Sequence, residues 1–137
     1  MNGWVGRVAL GGCVTLVLLM AVGCGGGNGG GNETVSGTPI TVEDRSEAME
    51  LFSKRCAACH GTDGTGNGPG SAALNPKPRN YTDKAWQKTV TNEEIEKAIV
   101  YGGTAVGKSA QMAANPDLQA KPGVVAALRE KVREFGR

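Results

Sequence analysis

Five consecutive residues, Cys56-Ala57-Ala58-Cys59-His60, place two thiols three positions apart and an imidazole directly after the second. That order is the attachment pattern for a c-type haem. Each residue type has its own task in it. The thiols add across the two vinyl groups of the ring and become thioethers, and the histidine, held against the ring by Cys59, is left facing the iron. Other uses of the same residues fit less well. A structural zinc site takes four ligands, usually from two such pairs, and His60 is the single histidine of the chain. A thioredoxin-type redox pair belongs in a βαβ surrounding, whereas a Gly-rich run follows His60. A disulfide beside an incidental histidine explains nothing downstream.

The elements that must position this motif are legible on both sides of it. Thr41 with Asp44 three residues on forms a capping box, and Ala48, Met49, Phe52 and Cys56 recur at helical spacing. This predicts a helix that runs into the attachment motif, with Met49 and Phe52 in the core. Residues 61–69 are loop by composition, and Asn75-Pro76-Lys77-Pro78-Arg79-Asn80 is barred from a helix because each proline restricts its predecessor. That stretch is expected to wrap the ring edge as extended chain. A short helix follows over 83–90, with Tyr81 and Trp86 flanking its start. Thr91-Asn92-Glu93-Glu94 is a second capping box. It opens a helix whose inner face carries Ile95, Ala98 and Ile99 and which stops at Gly102-Gly103. Pro122 suits the first turn of a last helix, in which Val125, Leu128, Val132 and Phe135 step by three, four and three. Glu130, Lys131, Arg133 and Glu134 read as its solvated face.

Length and charge bound what surrounds these elements. The chain has 137 residues, enough for one modest domain, and its first forty differ in composition from the rest. Aromatic residues make up only 4%, so the polypeptide alone offers a thin core, which a bound ring would supplement. A net charge of +2 from nearly balanced signs argues against a nucleic-acid partner. One positive charge in residues 1–7 precedes an apolar run over 8–22, too short for a membrane span of about 20 residues and fitting a secretory h-region. Cys13 falls inside that run and leaves with it. Ala21-Val22-Gly23 before Cys24 resembles the lipobox of bacterial lipoproteins, with Ala21 where Leu is commonest; ordinary signal peptidase could also cut there. Gly25-Gly26-Gly27-Asn28-Gly29-Gly30-Gly31-Asn32 and the Thr/Ser/Gly stretch after it make a flexible coil. The boundaries read as a signal peptide over 1–23, lipid-bearing Cys24 with a tether over 24–42, and a folded domain over 43–137.

The helix Glu50-Leu51-Phe52-Ser53-Lys54-Arg55-Cys56-Ala57-Ala58-Cys59-His60-Gly61, with an aromatic four residues before the first cysteine, resembles class I cytochrome c. The resemblance covers about residues 43–137. It implies an all-α fold wrapped around one covalently attached haem c, with Phe52 packed on the C-terminal helix. The 61–69 loop is similar to the haem-side loop of that family, where a proline carbonyl takes the other N–H of the axial imidazole, as ligating histidines commonly require. Pro69 is the candidate, with Pro76 and Pro78 as alternatives. Arg79, Tyr81 and Trp86 are candidates for hydrogen bonds to the propionates or for plain packing. Met112, the only methionine after His60, lies in a Gly/Lys/Ser/Gln loop with no core to fill. The family places its sixth ligand in such a loop, followed by Pro; Ala113 stands there instead.

These expectations converge on an electron carrier rather than an enzyme. Its iron is held by His60 and Met112, and it stands on the periplasmic side of a bacterial membrane as a lipid-anchored, or else soluble periplasmic, monomer that meets redox protein partners. With both axial positions filled, no site is open to substrate, and a Met ligand raises the potential relative to bis-His iron. A haem-based sensor needs a displaceable sixth ligand. A small catalytic haem protein needs a distal acid–base residue, and the chain has no second histidine.

Overall fold

The computed structural model describes residues 37–137. The expected signal peptide, Cys24 and the tether as far as residue 36 lie outside the described residues. Five α-helices carry the fold: α1 (Val42–Leu51), α2 (Ala57–His60), α3 (Lys84–Thr89), α4 (Asn92–Tyr101) and α5 (Pro122–Glu134). A π-helical turn, Phe52–Cys56, joins α1 to α2, and three 3-10 turns cover Pro69–Ser71, Gly103–Val106 and Pro116–Ala120. No strand element occurs among the described residues, so the described fold is all-α, as the sequence predicts.

Both capping boxes form. Thr41 Oγ1 accepts from Asp44 N while the Asp44 carboxylate takes Thr41 N, and Thr91 and Glu94 repeat the exchange on α4. Each removes two donors from the set a helix start leaves unpaired. At the other end of α4, Gly102 turns the chain at φ +80°. The segment 42–60 is helical throughout, as the spacing predicts, but the π turn inserts one residue beyond the α register. Beyond the π turn Ala57 is still part of the core and Cys56 packs against it, so the irregularity lies where the packed helix passes into the attachment motif.

α5 is the centre of the core. It packs against α1 and α4, and Val124, Val125, Ala126, Ala127, Leu128 and Val132 are all buried. Phe52 meets Phe135 with ring centroids 5.5 Å apart, closing the N- and C-terminal helices on each other. Each fully buried Val or Leu contributes about 1.5–3 kcal/mol relative to exposure.

Three expectations are corrected here. Met49 is 51% exposed, not core: Ala48 and Phe52, four residues apart, hold the centre of the stripe, and position 49 falls on its flank. Glu130 and Arg133 do not form a solvated face. Glu130 is buried and takes Arg45 at 2.6 Å. Arg133 makes five hydrogen bonds, to the backbone carbonyls of Gln87 and Val90, to Gln87 Oε1 and twice to Asn92 Oδ1. A helix covered by α1, by α4 and by the α3–α4 link has little surface left for water. Arg129, fully buried, adds an ion pair to Glu96 of α4 at 2.6 Å. Ile40, which composition assigns to the tether, is 2% exposed and belongs to the core.

Candidate functional site

His60 closes α2 and is buried. Its Nδ1 is 3.2 Å from the Arg79 carbonyl and its Nε2 is 3.1 Å from the Tyr81 hydroxyl. A carbonyl can only accept, so Nδ1 carries the proton and Nε2 bears the lone pair. Burial pushes the imidazole below its ordinary range, outweighing the opposite pull of the Arg79 carbonyl, and the ring is neutral at neutral pH. The Tyr81 hydroxyl, pushed well above its usual range by burial, keeps its proton and donates a hydrogen bond to Nε2. The resulting tautomer is the one a metal-ligating histidine needs.

The loop after α2 is pinned from both directions. Gly66 N donates to His60 O at 2.8 Å, Gly68 N to Cys59 O at 3.1 Å, and Tyr81 N to Gly64 O at 2.7 Å. Gln87 Nε2 then donates to both Tyr81 O and Val132 O at 2.8 Å, tying Tyr81 to α5. Tyr81 stacks on His60 with ring centroids 4.4 Å apart and has Trp86 at 5.8 Å on another side. The Arg79 guanidinium lies over the Trp86 ring, 5.5 Å from its centroid, and 3.6 Å from Asp83. Arg79, Tyr81 and Trp86 therefore gather beside His60.

Pro69 does not supply the carbonyl for Nδ1; Arg79 does. The Gly68-to-Cys59 hydrogen bond holds the turn Pro69–Ser71 against the back of α2, where a Cβ at Gly68 would collide with the Ala57 and Ala58 carbonyls. The chain reaches Nδ1 only after it has passed Pro76 and Pro78. The sequence carries no sign of the role of Gln87, since no spacing marks a side chain that bridges two distant carbonyls.

Cys56 and Cys59 are free thiols, both half-buried. Burial is the largest influence on Cys56 and raises its pKa, so it is held as the neutral thiol. Two unpaired thiols at the helix end, with an imidazole whose lone-pair nitrogen is fixed, match the donor set that covalent haem attachment requires.

Met112 is built into a separate loop. After Gly102 the chain makes the 3-10 turn Gly103–Val106 and doubles back, with Lys108 N on Gly103 O at 2.8 Å and Gly103 N on Met112 O at 3.0 Å. The two glycines make this possible. A Cβ at Gly102 would stand 2.8 Å from Met112 O, and one at Gly103 would strike Ser109 O and meet Met112 Cβ at 3.2 Å. Asn115 fastens the far end, its N on Val100 O at 2.9 Å and its Nδ2 on Ile99 O at 2.8 Å. Met112 itself is half-exposed.

Comparison with known proteins gives one family. The family model described as Cytochrome c matches residues 46–128, more than half of the chain. No curated protein and no solved structure matches it.

Proposed function

From the premise that this chain belongs to the cytochrome c family and binds haem c covalently, we propose that it is a mono-haem electron carrier held outside the cytoplasmic membrane by a lipid on Cys24. Cytochrome c domains serve electron transfer through the bound ring, whose iron cycles between ferrous and ferric states. The chain's own residues set the terms of that exchange. Cys56 and Cys59 form the two thioethers. His60 offers the Nε2 lone pair on the proximal side, giving up the Tyr81 hydroxyl, while the Arg79 carbonyl keeps the imidazole oriented and basic. Met112 would supply the second side-chain ligand to the iron, leaving no position for substrate, and a thioether there would favour the ferrous state.

The observation that carries this reading is the fixed tautomer of His60 next to two free thiols. Thioethers survive denaturation, so the purified protein should keep haem stain on a denaturing gel and show a reduced-minus-oxidised spectrum of the c type. Changing Cys56 and Cys59 together to Ala should abolish the stain; a stained double variant would defeat the proposal. The anchor has its own test, in which Cys24→Ala moves haem protein from the membrane fraction to the soluble one.

The Gly- and Asn-rich composition of residues 25–36 suits the proposed tether between Cys24 and the domain, which would let the domain meet donor and acceptor proteins at the membrane surface.

A further inference from the structure

We propose that Arg55 is a positioning residue for the distal ligand, a clamp from the attachment helix to the segment that follows Met112. The inference rests on the reading of Met112 as sixth ligand. Arg55 directly precedes Cys56 on the π turn, so its backbone moves with the thiols that hold the ring. Its side chain reaches the turn Pro116–Ala120 and the residue just before it. Nη1 donates to Asp117 Oδ1 and Oδ2 at 3.0 and 2.9 Å and reaches Asn115 Oδ1 at 3.3 Å. Asn115 is the residue that fastens the distal loop to the end of α4 through Val100 O and Ile99 O. One guanidinium thus joins the proximal helix to the anchor point of the distal loop, three residues beyond Met112.

The consequence follows from how Met112 is held. Its loop closes on itself through Gly103 and ends at Asn115, so drift of Asn115 is drift of the thioether. A methionine that leaves the iron must carry this segment with it, and Arg55 opposes the movement. Because Arg55 and Asp117 are exposed, the opposition is screened by salt and modest in size.

Imidazole added to the oxidised, full-chain haem protein binds iron only when Met112 leaves, and its apparent affinity reads the clamp. At low salt, Arg55→Gln and Asp117→Asn should each raise that affinity about two- to fivefold, the scale of one exposed ion pair. The double variant should do no more than either single one, and high salt should narrow the gap to wild type. In a Met112→Ala background, where nothing has to be displaced, Arg55→Gln should leave imidazole affinity unchanged. Asp117→Asn lies far along the chain from the thioethers and keeps the test sound should Arg55→Gln impair haem attachment. Wild-type affinity in both single variants at low salt, or an equal change in the Met112→Ala background, overturns the clamp. A wild type without the far-red thioether band overturns the ligand assignment itself, which is a separate failure.

Discussion

His60 and Met112 stand in segments that are secured in opposite ways. The imidazole is 8% exposed, has hydrogen-bond partners on both nitrogens, and follows a helix packed on α5. Met112 is half-exposed on a loop tied by the Gly102-Gly103 corner, by Asn115 and, through Asn115 and Asp117, by Arg55. The first arrangement draws on core packing, where side chains are close to crystal density and transmit displacement. The second draws on a few backbone hydrogen bonds and one exposed ion pair, each worth about 1 kcal/mol or less. A ligand of the first kind stays in place while the fold lasts; one of the second kind can leave while the fold remains. On the proposed ligation, holding the ring and tuning it fall to different parts of the protein.

That separation breaks most visibly at Met112. Replacing it with Ala should remove the far-red band of a thioether on ferric low-spin iron, open a position for cyanide or carbon monoxide, and lower the reduction potential. Unfolding should change little, since the side chain is half-exposed. An unaltered spectrum would mean that the iron takes its sixth ligand elsewhere, and the comparison between the two halves would lose its distal member.

On the proximal side the largest change is thermodynamic. Phe52 is buried, touches Phe135 at 5.5 Å between centroids and joins α1 to α5 just ahead of the π turn. Phe52→Ala should cost about 3–5 kcal/mol by denaturant unfolding, with haem still attached covalently. A cost below about 1 kcal/mol would show that the bound ring, rather than the helix pair, holds the proximal half together.

Gly102 sharpens the contrast because it is the corner at which the core helix α4 gives way to the Met112 loop. Its φ of +80° and ψ of 176° belong to a region that only glycine adopts freely, and the added Cβ would press on Met112 O at 2.8 Å. Gly102→Ala should cost about 1–3 kcal/mol, and the far-red band should weaken on warming before the helical signal falls. Simultaneous loss of both signals would mean that the distal loop unfolds with the core rather than ahead of it.

Much of this was readable from the chain because its signals are local. The attachment motif and both capping boxes lie within five residues each, and the stripe on α5 repeats in register. What escaped reading is long-range. Arg133 looks like any charged residue on the outer face of a helix until the 87–92 link arrives with four carbonyl or amide oxygens from backbone and side chains. The carbonyl at Nδ1 carried no mark of its own, since every residue has one; the choice of Arg79 over Pro69 was made by Gly68, whose bond to Cys59 takes Pro69 out of reach.

Met49 gives the smallest effect and the finest test of the proximal half. Periodicity alone admits both Ala48 and Met49 to the buried stripe, because helical spacing defines a face without defining its centre. The structure gives the centre to Ala48, at 2% exposure, and leaves Met49 on a shallow groove beside Arg45, Lys131 and Glu134. A side chain half in water keeps about half of its hydration in the folded state, so truncation removes far less than it would from a buried site. Met49→Ala should therefore shift stability by no more than about 0.5 kcal/mol, seen as an unmoved denaturation midpoint at unchanged slope. The 2–5 kcal/mol typical of a buried methionine would require α1 to be rotated so that position 49 faces α5. Ala48 and Phe52 would then leave that interface, against their burial at 2% and 5% exposure.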